Sequence, residues 1–262
     1  MSIGPASKFA AHPDRHVPLE TAHNCRDLGG YPTVDGRSTR WGVVYRSDAL
    51  YRLNEADWAH LQSRSVRHVV DLRSAHEWET RGRFRDDLYP VTLHHFPVLD
   101  IPWTDDDTPD VDSAYEFLMW AYPEMIRKGG HQLAAAVETV AMLDDPVVFN
   151  CAAGKDRTGL VAMMMLTIVG VSDDIVVADF ELSNNGMERL RAWAESYDSN
   201  LRERLGNAPA AFLAADGRAL RDLMVGWVAE HGSMRTFARS LGVSDEAMTR
   251  LEERFVVPGP PV

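Results

Sequence analysis

Apolar positions in the chain follow two periods, and their order along the sequence predicts the fold. Val66 to Leu72 reads as a strand, and its consecutive Val69 and Val70 mark burial on both faces. Val43-Val44-Tyr45, Val91 to Val98 and Pro146 to Asn150 read as further extended segments. Helical patterns lie between them. Asn54 is placed to cap a helix, with Leu53 before the cap and Trp58 four residues after it, the spacing of a hydrophobic staple. Helical periodicity continues from about 112 to 127, where Pro123 predicts an interruption, and from 131 to 143. Another apolar helix is predicted from Thr158. Strands alternating with helices predict an α/β fold, a mostly parallel central sheet flanked by helices. Residues 173–256 show no strand pattern and read as several helices. Residues 1–20, with Pro5, Pro13 and Pro18, read as an irregular arm, which leaves a single domain over 21–256.

Composition narrows the partners. The 262 residues carry a net charge of −12, so broad, non-specific binding to nucleic acid or anionic lipid is not expected. Two cysteines, Cys25 and Cys151, are too few for a disulfide framework and fit a reducing compartment. No apolar stretch follows the first lysine, and the longest apolar run, Leu160 to Val171, is too short to span a bilayer. The expectation is a cytoplasmic protein without stable membrane insertion, export without a signal peptide being left open.

The chemistry concentrates in Phe149-Asn150-Cys151-Ala152-Ala153-Gly154-Lys155-Asp156-Arg157-Thr158-Gly159. Five residues separate Cys151 from Arg157, between a buried strand and a helix. Small residues let the backbone curl until successive N–H groups converge as an anion nest, and the helix dipole adds to the same point. Such a nest attracts a phosphate dianion and favours a thiolate at Cys151. Arg157 can grip two phosphate oxygens as a fork. Ala152, Ala153, Gly154, Lys155 and Thr158 complete the expected substrate-binding loop. A merely buried cysteine would explain neither the arginine spacing nor the run of small residues. A nucleotide P-loop is excluded, because Gly-x4-Gly-Lys-[Ser/Thr] is absent.

This segment resembles the signature loop of the bacterial Cys-x5-Arg tyrosine phosphatases of the mycobacterial type B, whose loop reads His-Cys-x-x-Gly-Lys-Asp-Arg-Thr-Gly. Asn24-Cys25-Arg26-Asp27-Leu28-Gly29-Gly30-Tyr31 with Tyr45-Arg46-Ser47-Asp48 resembles that family's N-terminal block. Val70-Asp71-Leu72-Arg73-Ser74 with Glu77, and Leu182-Ser183-Asn184, resemble two more. The resemblance implies the Cys-dependent phosphatase fold with a helical C-terminal lid or insertion. It implies hydrolysis of phosphotyrosine in proteins through a phosphocysteine, extending to phosphoserine, phosphothreonine and phosphoinositides. No cofactor or metal is expected, since His94 and His95 point to opposite faces of a strand and His23 with Cys25 lacks partners. Lys155 has two readings, an added charge for a multiply phosphorylated head group or a solvated surface lysine. Thr158 reads as a helix cap, as a hydroxyl that helps the thiolate leave, or as both.

Three aspartates compete as general acid. Asp156 lies in the loop and is favoured by the resemblance, its alternative role being a loop brace. Asp100 follows an upstream strand, and Asp71 ends the buried strand Val69-Val70. Two departures from the family pattern stand out. Asn150 replaces the histidine before the nucleophile, which raises the alternative of a weakly active or substrate-trapping homologue. Cys25 stands where an aromatic residue is usual, and either packs or protects Cys151 by a reversible disulfide. A reading from a different class is a helix-turn-helix at Phe237 to Ser244. The charges from Ser233 to Phe255 cancel, however, and a recognition helix beginning Asp245-Glu246 has the wrong sign for DNA.

Overall fold

The computed structural model describes residues 5–99 and 109–259. In chain order the first elements are α1 (Pro5–Ala10), β1 (Arg26–Asp27), β2 (Arg37–Thr39), β3 (Val44–Ser47), α2 (Glu55–Ser63) and β4 (His68–Asp71). Next come α3 (Ala75–Arg81), β5 (Thr92–His95), α4 (Ala114–Met142), β6 (Val147–Asn150) and α5 (Asp156–Ile168). The remainder is α6 (Asp173–Tyr197), α7 (Ser199–Asn207), α8 (Ala210–Leu213), α9 (Gly217–His231), α10 (Met234–Leu241), α11 (Asp245–Phe255) and β7 (Val256–Pro258).

The central sheet runs β1-β3-β6-β4-β5, with β1 antiparallel at one edge and the other four strands parallel. The mostly parallel α/β sheet expected from the alternating elements is present. Its strands are buried on both faces, as the apolar runs require. Val44, Val70, Val147 and Phe149 face the large core built on α4, α5, α6 and the C-terminal helices. Tyr45, Val69 and Val148 face a smaller core that includes Trp58 and Leu61 of α2. Strand β6 lies between β3 and β4, so the chain leaves to either side of it. In open α/β sheets the crevice for a ligand forms beyond the carboxyl ends of the strands at such a reversal. Cys151 is the next residue after β6.

Local predictions met different fates. Asn54 caps α2, its side chain accepting from the Asp57 N–H, and Leu53 and Trp58 are both buried in one cluster. The predicted break at Pro123 does not occur, and α4 passes through it without interruption. A proline inside a helix costs ~3 kcal/mol. Burying Phe117, Leu118, Tyr122 and Met125 around it, at roughly 1.5–3 kcal/mol each, outweighs that cost. The arm at 1–20 contains α1, packed on α6, and Arg15 stacks on the Tyr31 ring at 3.6 Å. The strand β7 lies at the end of the segment read as helical and pairs with β2. Arg-Ser-Thr carries no apolar alternation, so β2 left no trace in the pattern.

Helices α10 and α11 are joined at Gly242, in the left-handed region at φ 118°. All four arginines of this pair are engaged by protein groups. Arg235 meets Glu252, Arg239 meets Asp245, Arg250 meets Asp144, and Arg254 donates to the Val140 carbonyl. Among the described residues no helix is long and apolar enough to cross a membrane.

Candidate active site

The loop between β6 and α5 is held by its carbonyls. The Asn24 side-chain amide donates to the carbonyls of Ala153 and Gly154, both at 3.0 Å. Arg46 Nη2 donates to the Gly154 carbonyl at 2.8 Å, and the Ala49 N–H donates to that of Ala152 at 3.3 Å. With the carbonyls turned to the scaffold, the N–H groups of residues 152–155 have no protein acceptor among the described residues. That is the arrangement of an anion nest. Gly154 sits at φ 64°, and a Cβ there would meet the Ser47 carbonyl oxygen at 2.6 Å. No other residue fits both the turn and the contact.

The scaffold behind the loop is ionic and dry. Asp179 of α6 accepts from Arg26 Nε at 3.0 Å, Arg46 Nη1 at 2.6 Å and the Tyr31 hydroxyl at 2.9 Å. Burial pushes its carboxyl up, but the two guanidiniums outweigh burial and hold it well below the usual carboxylate range. Arg26 also donates to the Asn24 side-chain oxygen, and Asp48 accepts the N–H groups of His23 and Asn24. Gly186 of α6 makes room for this, since a Cβ there would lie 2.5 Å from the Asn24 amide.

Cys151 opens onto a cleft of about 380 Å³, with Ala152, Ala153, Asp156 and Arg157 on its loop wall. Glu77 of α3 lies opposite. It holds Arg157 by two bonds, to Nη1 at 2.5 Å and Nη2 at 3.0 Å. Arg157 Nη1 also reaches the Leu72 carbonyl at 3.5 Å. Among the described residues the Arg157 Nε–H and the second Nη2 hydrogen therefore remain as a fork. Burial opposes the guanidinium charge, yet the Cys151 and Glu77 charges raise it above its ordinary value. Burial likewise opposes the Glu77 charge, and Arg157 more than offsets it, bringing the carboxyl down to about 2.

The three aspartates separate clearly. Asp156 lines the cleft, and its Oδ1 accepts from the Tyr122 hydroxyl at 3.2 Å and faces Lys155 Nζ at 3.1 Å. Its Oδ2 has no hydrogen bond among the described residues. Asp71 does not line the cleft. It is consumed by Arg73, by Trp78 Nε1 at 2.9 Å and by Asn150 Nδ2 at 3.4 Å. Asp100 and the acidic run at 105–107 lie outside the described residues.

Lys155 is not the solvated lysine of the second reading. It is buried, with Nζ donating to the Ala214 carbonyl at 2.9 Å, so it ties the loop to the segment after α8 while standing beside Asp156. Thr158 is the third residue of α5, and the cap position belongs to Lys155. Its Oγ1 is buried without a partner among the described residues. Asn150 supports the loop only weakly, its Nδ2 reaching Asp71 at 3.4 Å and the Cys151 carbonyl at 3.5 Å, and its Oδ1 is unpartnered among the described residues. Cys25 is fully buried, which pushes its thiol up to about 12. That favours packing over thiol exchange.

A profile for the tyrosine phosphatase family matches residues 17–257. The chain belongs to that family. It is 29% identical over 276 residues to the triple specificity protein phosphatase PtpB of Mycobacterium tuberculosis, covering 89% of this chain and 96% of that protein. A putative tyrosine-protein phosphatase of Cupriavidus necator is 33% identical over 178 residues, 65% of this chain and 64% of that one. A tyrosine-protein phosphatase of Nostoc commune is 25% identical, over 80% of this chain and 73% of that one.

The quoted sequence blocks of this phosphatase now have physical meaning. The N-terminal block supplies Asn24, Arg26, Arg46 and Asp48, and the second supplies Glu77. In the third, Ser183 Oγ accepts from Arg26, and Asn184 brackets the Ala215 backbone with bonds of 3.0 and 2.8 Å. The residue-by-residue reading missed Glu77 as the holder of Arg157, and missed Asp179 altogether. Nothing in the local pattern around either carboxylate points to an arginine 80 or 133 positions away.

Proposed function

We propose that this phosphatase hydrolyses phosphotyrosine in proteins through a phosphocysteine at Cys151. The observation that supports it is the nest itself, where three outward carbonyls leave the N–H groups beside a cysteine and an oriented arginine fork. The dianion settles on these N–H groups and on Arg157. Cys151 Sγ attacks phosphorus in line, an S–P bond forms, and the bond to the tyrosyl oxygen breaks. Asp156, on the cleft wall, gives its proton to the departing oxygen, and as carboxylate it then draws a proton from the attacking water. Water cleaves the S–P bond, and the thiolate leaves with inorganic phosphate. The unpartnered Thr158 hydroxyl is available to donate to the leaving sulfur. Phosphoserine, phosphothreonine and phosphoinositides are further substrates of the same chemistry, consistent with a relative named for triple specificity. Lys155, bonded to the Ala214 carbonyl and beside Asp156, does not itself line the cleft.

The test is phosphate release from phosphotyrosine peptide, phosphoserine peptide and soluble phosphoinositide, with acid quenching to trap phosphoenzyme. Cys151→Ser should retain anion binding while losing turnover by about 10⁴-fold or more and trapping no phosphoenzyme. Wild-type turnover in that variant would sink the covalent mechanism. The weakly supported Asn150 favours a second reading, a substrate-trapping protein. It predicts wild-type binding of phosphotyrosine peptide with almost no release in the same assay.

A further inference from the structure

A second hollow, of about 190 Å³, adjoins the cleft and shares Ala152, Ala153 and Arg81 with it. Ala152 and Ala153, beside the nucleophile, line both. The hollow is smaller than the roughly 300–1,000 Å³ of a ligand pocket, which suits one side chain rather than a second ring. Its floor is apolar, with Met187 and Leu190 of α6 and Leu213 of α8. Its rim is cationic. Arg81 reaches Glu77 only at 3.5 Å, and Arg204 of α7 has no ion pair among the described residues. Burial lowers Arg81 from its ordinary value, Glu77 opposes that, and repulsion from Arg204 and Arg157 adds to the lowering. A protein with net charge −12 thus keeps a run of arginines, two of them underpaired, leading away from its nest.

We propose that this hollow is a specificity subsite for a residue flanking the phosphotyrosine. It takes a glutamate, whose methylene stem lies on Met187, Leu190 and Leu213 and whose carboxylate sits between Arg81 and Arg204. This deepens the phosphotyrosine reading and rests on it. A second phosphate of an inositol head group fits less well, since it has no apolar stem and would be desolvated against the leucines. A glutamate satisfies the floor and the rim together.

Three phosphotyrosine peptides that differ only in the flanking residues (Glu, Gln or Lys) distinguish these cases, with a short-chain soluble phosphoinositide assayed beside them. The wild type should cleave the Glu peptide about tenfold more efficiently than the Gln peptide, mainly through KM, as one charge-assisted hydrogen bond implies. The preference should weaken as salt is raised. Arg204 is exposed on α7, so substitution there spares the core. Arg204→Gln should bring the Glu and Gln peptides within about twofold, and Arg204→Glu should make the Lys peptide the best of the three. Equal efficiencies in the wild type, or a Glu preference that survives Arg204→Glu, would overturn the subsite while leaving the phosphatase reading intact. Loss of phosphoinositide cleavage in Arg204→Glu, with peptide preferences unmoved, would assign the rim to a lipid head group and also overturn it. Absence of release from every phosphotyrosine peptide would remove the reading beneath it.

Discussion

Behind the loop, Asp179 accepts from Arg26, Arg46 and Tyr31, and its side chain is 1% exposed. At the cleft, Glu77 holds Arg157, whose side chain is 15% exposed and whose remaining fork of donors has no partner among the described residues. Both are carboxylate–arginine clusters that link distant segments to the same loop. In the first, both oxygens of the carboxylate are used on the scaffold, Arg46 donates to the Gly154 carbonyl of the loop, and Arg26 donates to Asn24, whose amide holds the loop. In the second, the carboxylate fixes one edge of the guanidinium and leaves the other edge for an incoming anion. A buried charge cluster can thus serve as frame or as tool, and the unspent hydrogen-bonding capacity tells which. Residue type does not.

Substitutions on the two sides should therefore fail differently. The largest effect is expected from Arg157→Ala, a loss of about 10⁴-fold in kcat/KM on phosphotyrosine peptide, with a stability loss limited to that of its Glu77 pair. A large fall in stability with modest kinetic loss would erase the contrast. Asp179→Asn should show the reverse. Leaving Arg26 and Arg46 buried without their counter-charge should cost about 3–5 kcal/mol in urea unfolding, with kcat per folded molecule changing far less than in Arg157→Ala.

Asp156 stands between the two cases, with one oxygen braced by Tyr122 and the other open to the cleft. Asp156→Asn should slow phosphotyrosine hydrolysis by about 10²-fold and a nitrophenyl phosphate only a few-fold, because the activated phenolate departs without a proton. It should also flatten the basic limb of the pH profile. Equal slowing of both substrates would make Asp156 a brace.

The smallest effect tests the Glu77 pair through pH. Its carboxyl lies at about 2 in the folded protein against an ordinary 4.5. A depressed carboxyl stabilises the fold above the unfolded value, and that contribution is lost as pH falls through the folded one. Glu77→Gln should thus be less stable than wild type by roughly 3 kcal/mol at pH 6, and the gap should close between about pH 4.5 and 2. A gap independent of pH would mean that the pair contributes packing rather than charge.

By itself the sequence determined what depends on neighbours along the chain. The doubled apolar positions at Val69-Val70 and Val147-Val148 set strands buried on both faces. Asn54 set the start of α2, and the small residues between Cys151 and Arg157 set a loop that curls between strand and helix. The tertiary structure decided what depends on approach through space. It carried α4 through Pro123, because burial of a long apolar face exceeds the cost of one missing bond. It joined β2 to β7, drew Lys155 inward to Ala214, and turned Asp71 to Arg73 and Trp78 and so away from the cleft. It also chose Glu77 as the partner of Arg157 and Asp179 as the partner of Arg46. Periodicity is a property of consecutive residues, whereas an ion pair between separate elements is chosen by the packing that brings them together.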